Sequence, residues 1–139
     1  MVAFDTDIVT EILLGTPEYV TRAEQTPIEE QGVPAVVAEE LTRGRLSVIR
    51  RAEAGRGRIG VVRAYELFEQ TFDVLRQVAL LTYIDAAEAI YQQWRSEKCK
   101  GSTHDLRIAA TCVAHSVTLV TRNRRDFDTI PELSVEFWE

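Results

Sequence analysis

The chain has 139 residues, 45% of them hydrophobic and 27% charged, which is the balance of one folded domain with a core rather than of a disordered chain. Its net charge of −6 argues against a general affinity for nucleic acid, but not against a nucleic-acid enzyme that gathers acidic groups around a metal ion. No stretch approaches the roughly 20 apolar residues of a membrane helix, and no signal peptide is expected. The two cysteines lack the spacing of a metal site and suit a reducing cytoplasm, with Cys112 expected to be buried and Cys99 to be more exposed.

Short β-type segments alternate with helical segments along the chain. The predicted strands are residues 2–4, 33–37, 79–83 and 117–121, with a last extended piece at 134–138. The predicted helices are a short one ended by Gly15, a small one within 16–31, and longer ones over 39–55, from residue 61, over 84–98 and around Asp105. This alternation predicts a single α/β domain over residues 1–139, with a parallel central sheet between two layers of helices.

The clearest helical pattern lies in the middle of the chain. Apolar residues recur there at alternating intervals of four and three, which predicts one apolar stripe along a helix. The stripe consists of Val61, Tyr65, Phe68, Phe72, Leu75 and Ala79. On the next helix the predicted buried side consists of Ala87, Ile90, Tyr91 and Trp94.

Carboxylates are found where the predicted strands end. Asp5 follows the first strand, Glu40 the second and Asp126 the fourth, while Asp105 lies at a helix start. Ligands of open parallel sheets bind outside the carboxyl ends of the strands, so these groups are candidates for one cleft. Oxygen ligands suit Mg²⁺ or Mn²⁺, and two such ions can activate water and stabilise the leaving oxygen in phosphodiester hydrolysis. The chain has no dinucleotide fingerprint, P-loop, nucleophile elbow or zinc-protease motif.

Several of these acidic residues also have purely structural interpretations. Asp105 lies three residues after Ser102, as in a capping box, and Asp7 is favoured as a simple helix cap. Glu39 and Glu40 both suit the first turn of a helix, and their adjacency means that only one of them can face the cleft.

The fourth strand and the arginines leave similar alternatives open. Asp126 is a candidate turn cap, with Asp128 as a competitor for its role in the site. Clustered arginines more often form a solvated face than a binding surface. The two clusters are Arg43, Arg45, Arg50, Arg51, Arg56 and Arg58, and then Arg122, Arg124 and Arg125.

Four segments occur in a recognisable order. They are FDTDIV at 4–9, VVAEELTRG at 36–44, HDLRIAA at 104–110 and LVTRNRRDF at 119–127, followed by IPEL at 130–133 and by Trp138. In these segments the chain resembles the PIN-domain family, and within it the VapC-like toxins of bacterial toxin–antitoxin modules. The resemblance covers the whole chain and selects Glu40 over Glu39. The chain departs from the family pattern at Asp7, where Asn is commoner, and residues 55–83 contain none of the family motifs.

The resemblance implies a metal-dependent endoribonuclease with a PIN-like fold and a site that holds Mg²⁺ or Mn²⁺. The implied catalytic and metal-binding residues are Asp5, Glu40, Asp105 and Asp126, with Asn123 as the alternative to Asp126. Supporting hydrogen bonds are expected from Thr6, Thr121 and Asn123. Contacts to RNA phosphates are expected from Arg122, Arg124 and Arg125.

The resemblance also implies partners. An antitoxin is expected to wrap the chain and to send an Arg or Lys into the carboxylates, and a homodimer is expected, with a contribution from exposed apolar residues at 84–94. Two alternatives stay open, namely a DNA nuclease of the same fold and a PIN-shaped binding module that has lost activity.

Overall fold

The computed structural model describes residues 1–139 and confirms the α/β prediction. Five short strands form one sheet in the spatial order β3-β2-β1-β4-β5, and every neighbouring pair is parallel. The strands are β1 Val2–Phe4, β2 Gln31–Pro34, β3 Ala79–Leu81, β4 Thr118–Thr121 and β5 Val135–Phe137. The central pair, β1 and β4, is adjacent in space but 113 residues apart in the chain, with Phe4 opposite Val120 at its carboxyl end.

Seven helices flank this sheet. They are α1 Thr6–Leu13, α2 Pro17–Glu24, α3 Ala35–Glu53, α4 Val61–Leu75, α5 Asp85–Ser96, α6 Thr103–His115 and α7 Arg124–Phe127, with a 3₁₀ turn at Ile28–Glu30. None of them combines the length and the hydrophobicity needed to cross a membrane.

The second strand and the third helix differ from their predicted bounds. The strand ends at Pro34, and Val36 and Val37, which were predicted to continue it, form the first turn of α3. Pro34 explains the change, because proline lacks the N–H that a strand needs and its fixed φ, here −59°, suits the residue before a helix. The helix therefore starts four residues before Glu39, so Glu40 lies in its second turn and not in its first. The third strand likewise ends at Leu81 and not at residue 83.

The core lies between the central strands and α6. Phe4 and Leu119 on the strands are at most 2% exposed, and α6 is buried over most of its length. Its buried residues are Leu106, Ile108, Ala109, Ala110, Thr111 and Cys112. Cys112 is buried and Cys99 is half-buried, as predicted.

Helix α4 carries the predicted apolar stripe from Val61 to Leu75, but the last predicted member, Ala79, lies in β3. Much of the stripe faces solvent. Tyr65 is 47% exposed and Phe72 is 38% exposed, while the residues that the helix buries are the smaller Ala64 and Thr71. The neighbouring Val62 is 75% exposed. Helix α5, by contrast, buries Ala87, Tyr91 and Trp94 as predicted, and Ile90 is half-buried. Helix α4 therefore exposes four large apolar residues, whereas Ile84 is the one large apolar residue exposed in the 84–94 region.

Candidate active site

Asp5 lies at the centre of the site, directly after β1 and beside the end of β4. Its N–H donates to Val120 O at 3.0 Å, which continues the pairing of the two strands. Its carboxylate accepts the Thr121 hydroxyl at Oδ2 (2.7 Å) and the Thr6 N–H at Oδ1 (2.8 Å). Because only 6% of Asp5 is exposed, the fold fixes both carboxylate oxygens.

This position is unfavourable for a negative charge. The pKa of Asp5 is raised to about 7, first by burial and then by the charges of Asp7 and Asp105, against the lowering effect of the Thr121 and Thr6 hydrogen bonds. A nearby cation would favour the charged form of this carboxylate.

Asp5 opens into a cleft of about 430 Å³ that no hydrophobic residue lines. Its walls include Asp5, Thr6, Asp7, Glu40, Asp105 and Asn123. The structure therefore brings Asp5, Glu40 and Asp105 together around one polar space, although they come from separate parts of the chain.

The two adjacent glutamates point to different places. Glu40 faces the cleft, where its Oε2 accepts a short hydrogen bond from the Thr6 hydroxyl and its Oε1 lies 3.2 Å from His104 Nδ1. Glu39 is exposed and pairs with Arg43 at 2.6 Å. The other ring nitrogen of His104 lies 3.1 Å from Arg43. His104 thus supports the cleft-facing carboxylate, a role that sequence reasoning missed and for which its place beside Asp105 was the only signal.

Asp105 is held by half of a capping box. Its N–H donates to Ser102 Oγ at 3.1 Å, but its carboxylate does not accept the Ser102 N–H that a complete box requires. Burial raises the pKa of Asp105, and the charges of Asp126 and Glu40 raise it further, against the lowering effect of the Ser102 hydroxyl. The carboxylate therefore faces the other acidic groups, while its backbone takes part in the cap.

Asn123 and Asp126 form one unit at the start of α7. Asn123 Oδ1 accepts the Asp126 N–H at 3.2 Å, and Asn123 Nδ2 donates to Asp126 Oδ2 at 2.6 Å. Asn123 also lines the cleft, and its own N–H donates to Thr121 Oγ1 at 3.0 Å. Asp126 is not among the residues that line the cleft, although its charge raises the pKa of Asp105. The competitor Asp128 is exposed at the end of α7.

Asp7 is not the helix cap that the sequence favours, because the N-cap of α1 is Asp5 and Asp7 lies in the first turn of the helix. Its Oδ2 accepts the N–H of Arg122 at 3.1 Å, which ties the first turn of α1 to the loop after β4. Its Oδ1 is buried and has no hydrogen-bond partner. Burial raises the pKa of Asp7, against the lowering effects of the hydrogen bonds from the Arg122 and Ile8 N–H groups.

The donor set suits a hard divalent cation, and two observations support the fit. Apart from Arg122, all the residues that line the cleft carry side-chain oxygens, and the buried Asp7 Oδ1 has no hydrogen-bond partner. In the arrangement shown, however, no three His, Cys, Asp and Glu side chains are close enough together to hold one ion. Asp5, Glu40 and Asp105 therefore line one cleft, but their carboxylates do not converge on a single metal position.

The predicted RNA-contacting arginines are mostly engaged within the chain. Arg122 pairs with Glu11 at 2.6 Å, and Arg124 donates to Glu139 at 2.7 Å. Arg125 is exposed and has no ion-pair partner. The loop after β4 thus offers fewer free cations than its sequence suggests.

Comparison with known proteins identifies the class. The model of the PIN-domain family matches residues 2–133, and the chain therefore belongs to the PIN-domain family. PIN domains are nucleases as a class and generally use divalent metal ions. No curated protein matches the chain in a sequence search.

Solved structures of this fold superpose along the whole chain. A chain of VapBC2 from Rickettsia felis, solved bound to a promoter DNA fragment, has a TM-score of 0.81 and 20% identity, with 100% of both chains covered. A chain of DNA-bound VapBC from Salmonella typhimurium gives 0.78 and 19%, covering 99% of this chain and 98% of the other. A chain of FitAcB from Neisseria gonorrhoeae gives 0.77 and 23%, covering 99% and 97%. At these identities the likeness shows the PIN-like fold.

Proposed function

We propose that the chain is a metal-dependent endoribonuclease and the toxin of a toxin–antitoxin pair. The observation that carries this proposal is the buried carboxylate of Asp5 at the mouth of an entirely polar cleft shared with Glu40 and Asp105. Family membership adds nuclease chemistry, and the similar structures are of proteins solved in VapBC and FitAcB assemblies.

Each residue has a distinct part in this proposal. Asp5 and Asp105 hold Mg²⁺ or Mn²⁺, with Asn123 and Asp126 completing the site together as the pair that the structure joins. Glu40 positions the attacking water and accepts its proton, since it faces the cleft and Asp126 stands further back. The bound cation supplies charge stabilisation at the phosphate and lowers the pKa of water.

Hydrogen bonds hold these carboxylates in their orientations. The Thr121 hydroxyl fixes one oxygen of Asp5, and the Thr6 hydroxyl fixes one oxygen of Glu40. His104 contacts the other oxygen of Glu40, so the proton acceptor is restrained from both sides. Fixed donors and acceptors of this kind reduce the reorganisation that the reaction requires.

The test of the activity compares the two adjacent glutamates. Purified protein is incubated with matched RNA and DNA in EDTA and in Mn²⁺, and cleavage is measured for wild type, Glu40→Gln and Glu39→Gln. We expect RNA cleavage in Mn²⁺ alone, a loss of about 10²–10⁴-fold in Glu40→Gln, and wild-type activity in the exposed control Glu39→Gln.

The other outcomes identify the alternatives. Cleavage that persists in EDTA would refute the metal mechanism. Preferential cleavage of DNA would make the chain a DNA nuclease of the same fold. If Mn²⁺ neither binds nor supports cleavage of either substrate, the chain is a binding module.

We propose that the antitoxin binds in the groove between α3 and α4. The groove has a volume of about 540 Å³, and its apolar wall consists of Leu46, Phe72, Leu75 and Leu80. It begins at Ala38 and Glu39, next to the cleft-facing Glu40. An apolar segment seated there can continue directly into the acidic cleft and place an Arg or Lys among the carboxylates.

Leu80 offers the cleanest test of this groove, because it is 57% exposed and its replacement leaves the core intact. Leu80→Glu should release the chain from the protein encoded beside its gene, while cleavage by the isolated chain stays at the wild-type level. Retention of that partner by Leu80→Glu would place the antitoxin elsewhere.

A further inference from the structure

The hairpin that joins α3 to α4 concentrates positive charge in this acidic protein. Residues 43–63 contain seven arginines and one acidic residue, Glu53, in a chain whose net charge is −6. Four of these arginines lie at the end of the hairpin, and all four are exposed. The arginine tip consists of Arg50, Arg51, Arg56 and Arg58.

The arginine tip differs from the other arginine cluster in its pairing. No member of the tip lies within salt-bridge distance of a carboxylate, whereas Arg122 and Arg124 beside the cleft are both paired. Elsewhere on the hairpin, Arg43 and Arg63 pair with glutamates on their own helices. The tip is therefore a group of four neighbouring arginines that no carboxylate of the chain neutralises.

The end of the hairpin has a defined shape. Gly57 has a φ of +101°, and the Arg56 N–H donates to Arg51 O at 2.8 Å, which folds the loop back onto the end of α3. Arg51, Arg56 and Arg58 line a cavity of about 400 Å³ at this point. Three arginines thus line one concave surface, and none of them is paired with a carboxylate.

The chemistry of this surface selects its ligand. Guanidinium groups bind phosphate oxygens through paired hydrogen bonds. Arginines that anchor a protein interface are accompanied by aromatic or large apolar residues, and no such residue is exposed between Leu46 and Val61. A partner held by charge and not by apolar anchors is a polyanion.

The position of the tip relative to the cleft fits a strand that contacts both. Helix α3 runs without interruption from Glu40 to Arg50, and ten residues at 1.5 Å each separate them by about 15 Å. An RNA whose scissile phosphate lies at the carboxylates can therefore place more distant phosphates at the tip.

We propose that the arginine tip is a docking site for the phosphates of the RNA substrate, away from the bond that is cut. This inference rests on the proposed ribonuclease activity, which it deepens by dividing the protein into a catalytic cleft and a separate substrate-holding surface.

The experiment measures binding without cleavage. A fluorescent single-stranded RNA is titrated with wild type, Arg56→Gln/Arg58→Gln and the matched control Arg63→Gln/Arg76→Gln, in EDTA and over a range of salt concentrations. The control removes the same charge from the same hairpin, but from arginines paired with Glu66 and Asp73. Each lost phosphate contact should flatten the plot of log K against log salt by about 0.7, hence by about 1.4 for the tip variant and near zero for the control.

Cleavage of a trinucleotide in Mn²⁺ separates this inference from the activity on which it rests. That substrate is too short to span the distance to the tip, so the tip variant should cut it at the wild-type rate while losing affinity for long RNA. A flattened salt dependence with no cleavage of any RNA would refute the proposed activity and leave the docking site standing. Equal salt slopes for wild type and the tip variant, or an equal loss in the control, would overturn the docking site.

Discussion

Replacement of Asp5 by Asn tests whether a buried charge opposes folding of the metal-free protein. The carboxylate is 6% exposed and its pKa is raised from 3.8 to about 7. A carboxyl group with a raised folded-state pKa stabilises the fold most below its unfolded pKa, and this stability is lost as pH rises towards the folded pKa. At about 1.4 kcal/mol per pH unit, wild type should lose about 4 kcal/mol between pH 3.8 and about 7 through this group.

The asparagine variant cannot lose that proton, so its own pH dependence should lack this contribution. Its side-chain oxygen can still accept the Thr6 N–H, but its amide group meets the Thr121 hydroxyl that now donates to Asp5. One lost hydrogen bond costs about 1 kcal/mol. The variant should therefore be about 1 kcal/mol less stable than wild type near pH 4 and about 3 kcal/mol more stable near pH 8.

The assay is urea unfolding in EDTA at both pH values, with Asp128→Asn as the control. Asp128 is an exposed carboxylate at the end of α7, and its removal should change stability by less than about 0.5 kcal/mol at either pH. Added Mn²⁺ should then stabilise wild type more than Asp5→Asn at pH 8, because a ligand raises stability according to its affinity for the native state. A variant destabilised equally at both pH values would refute the reasoning.

Three further predictions address the residues around the cleft and the surface of α4. His104→Ala should lower kcat with little change in KM, because Glu40 loses a contact at 3.2 Å, and His104→Gln should restore part of the rate in the same steady-state assay. We propose that the exposed apolar face of α4 forms a contact between two copies of the chain, so Val62→Glu should lower the mass measured by light scattering without a loss of Tm, because Val62 is 75% exposed; an unchanged mass would refute a contact through α4. Overexpression should arrest bacterial growth and Asp105→Asn should relieve the arrest, so equal toxicity of a folded Asp105→Asn would show that the arrest is not catalytic.

The order of strands and helices could be predicted because each strand is a short apolar run and each helix has its own periodicity. The predicted bounds of the second strand are too late in the chain, because the β-branched Val36 and Val37 favour a strand. In the structure Pro34 ends the strand, and α3 begins at Ala35. The stripe on α4 was correctly identified, but periodicity states only that one face is apolar and not that another element covers it.

The sequence identified the acidic residues of the cleft more completely than it identified the side chains that contact them. Strand ends pointed to Asp5 and Glu40, although only the family resemblance separated Glu40 from Glu39. The pairing of Arg122 with Glu11 joins residues 111 apart in the chain. Contacts of this kind depend on the tertiary fold, so no local pattern could show that Arg122 and Arg124 are paired while the arginines of the tip have no ion-pair partner.

Because the acidic cleft and the arginine tip are separate surfaces, the effect of Mn²⁺ on RNA affinity should not depend on the tip arginines. In EDTA the cleft presents several carboxylates and should repel RNA, so affinity should come mainly from the arginine tip. Mn²⁺ should raise affinity at the cleft, about 15 Å from Arg50 along α3. Substitutions this far apart, at residues that contact neither each other nor a common protein residue, contribute additively, within about 0.5 kcal/mol. Binding of RNA to Glu40→Gln, with and without Arg56→Gln/Arg58→Gln, should therefore show the same Mn²⁺ effect in both backgrounds. A Mn²⁺ effect that disappears with the tip arginines would mean that the metal acts at the tip, and the division of labour between the two surfaces would be wrong.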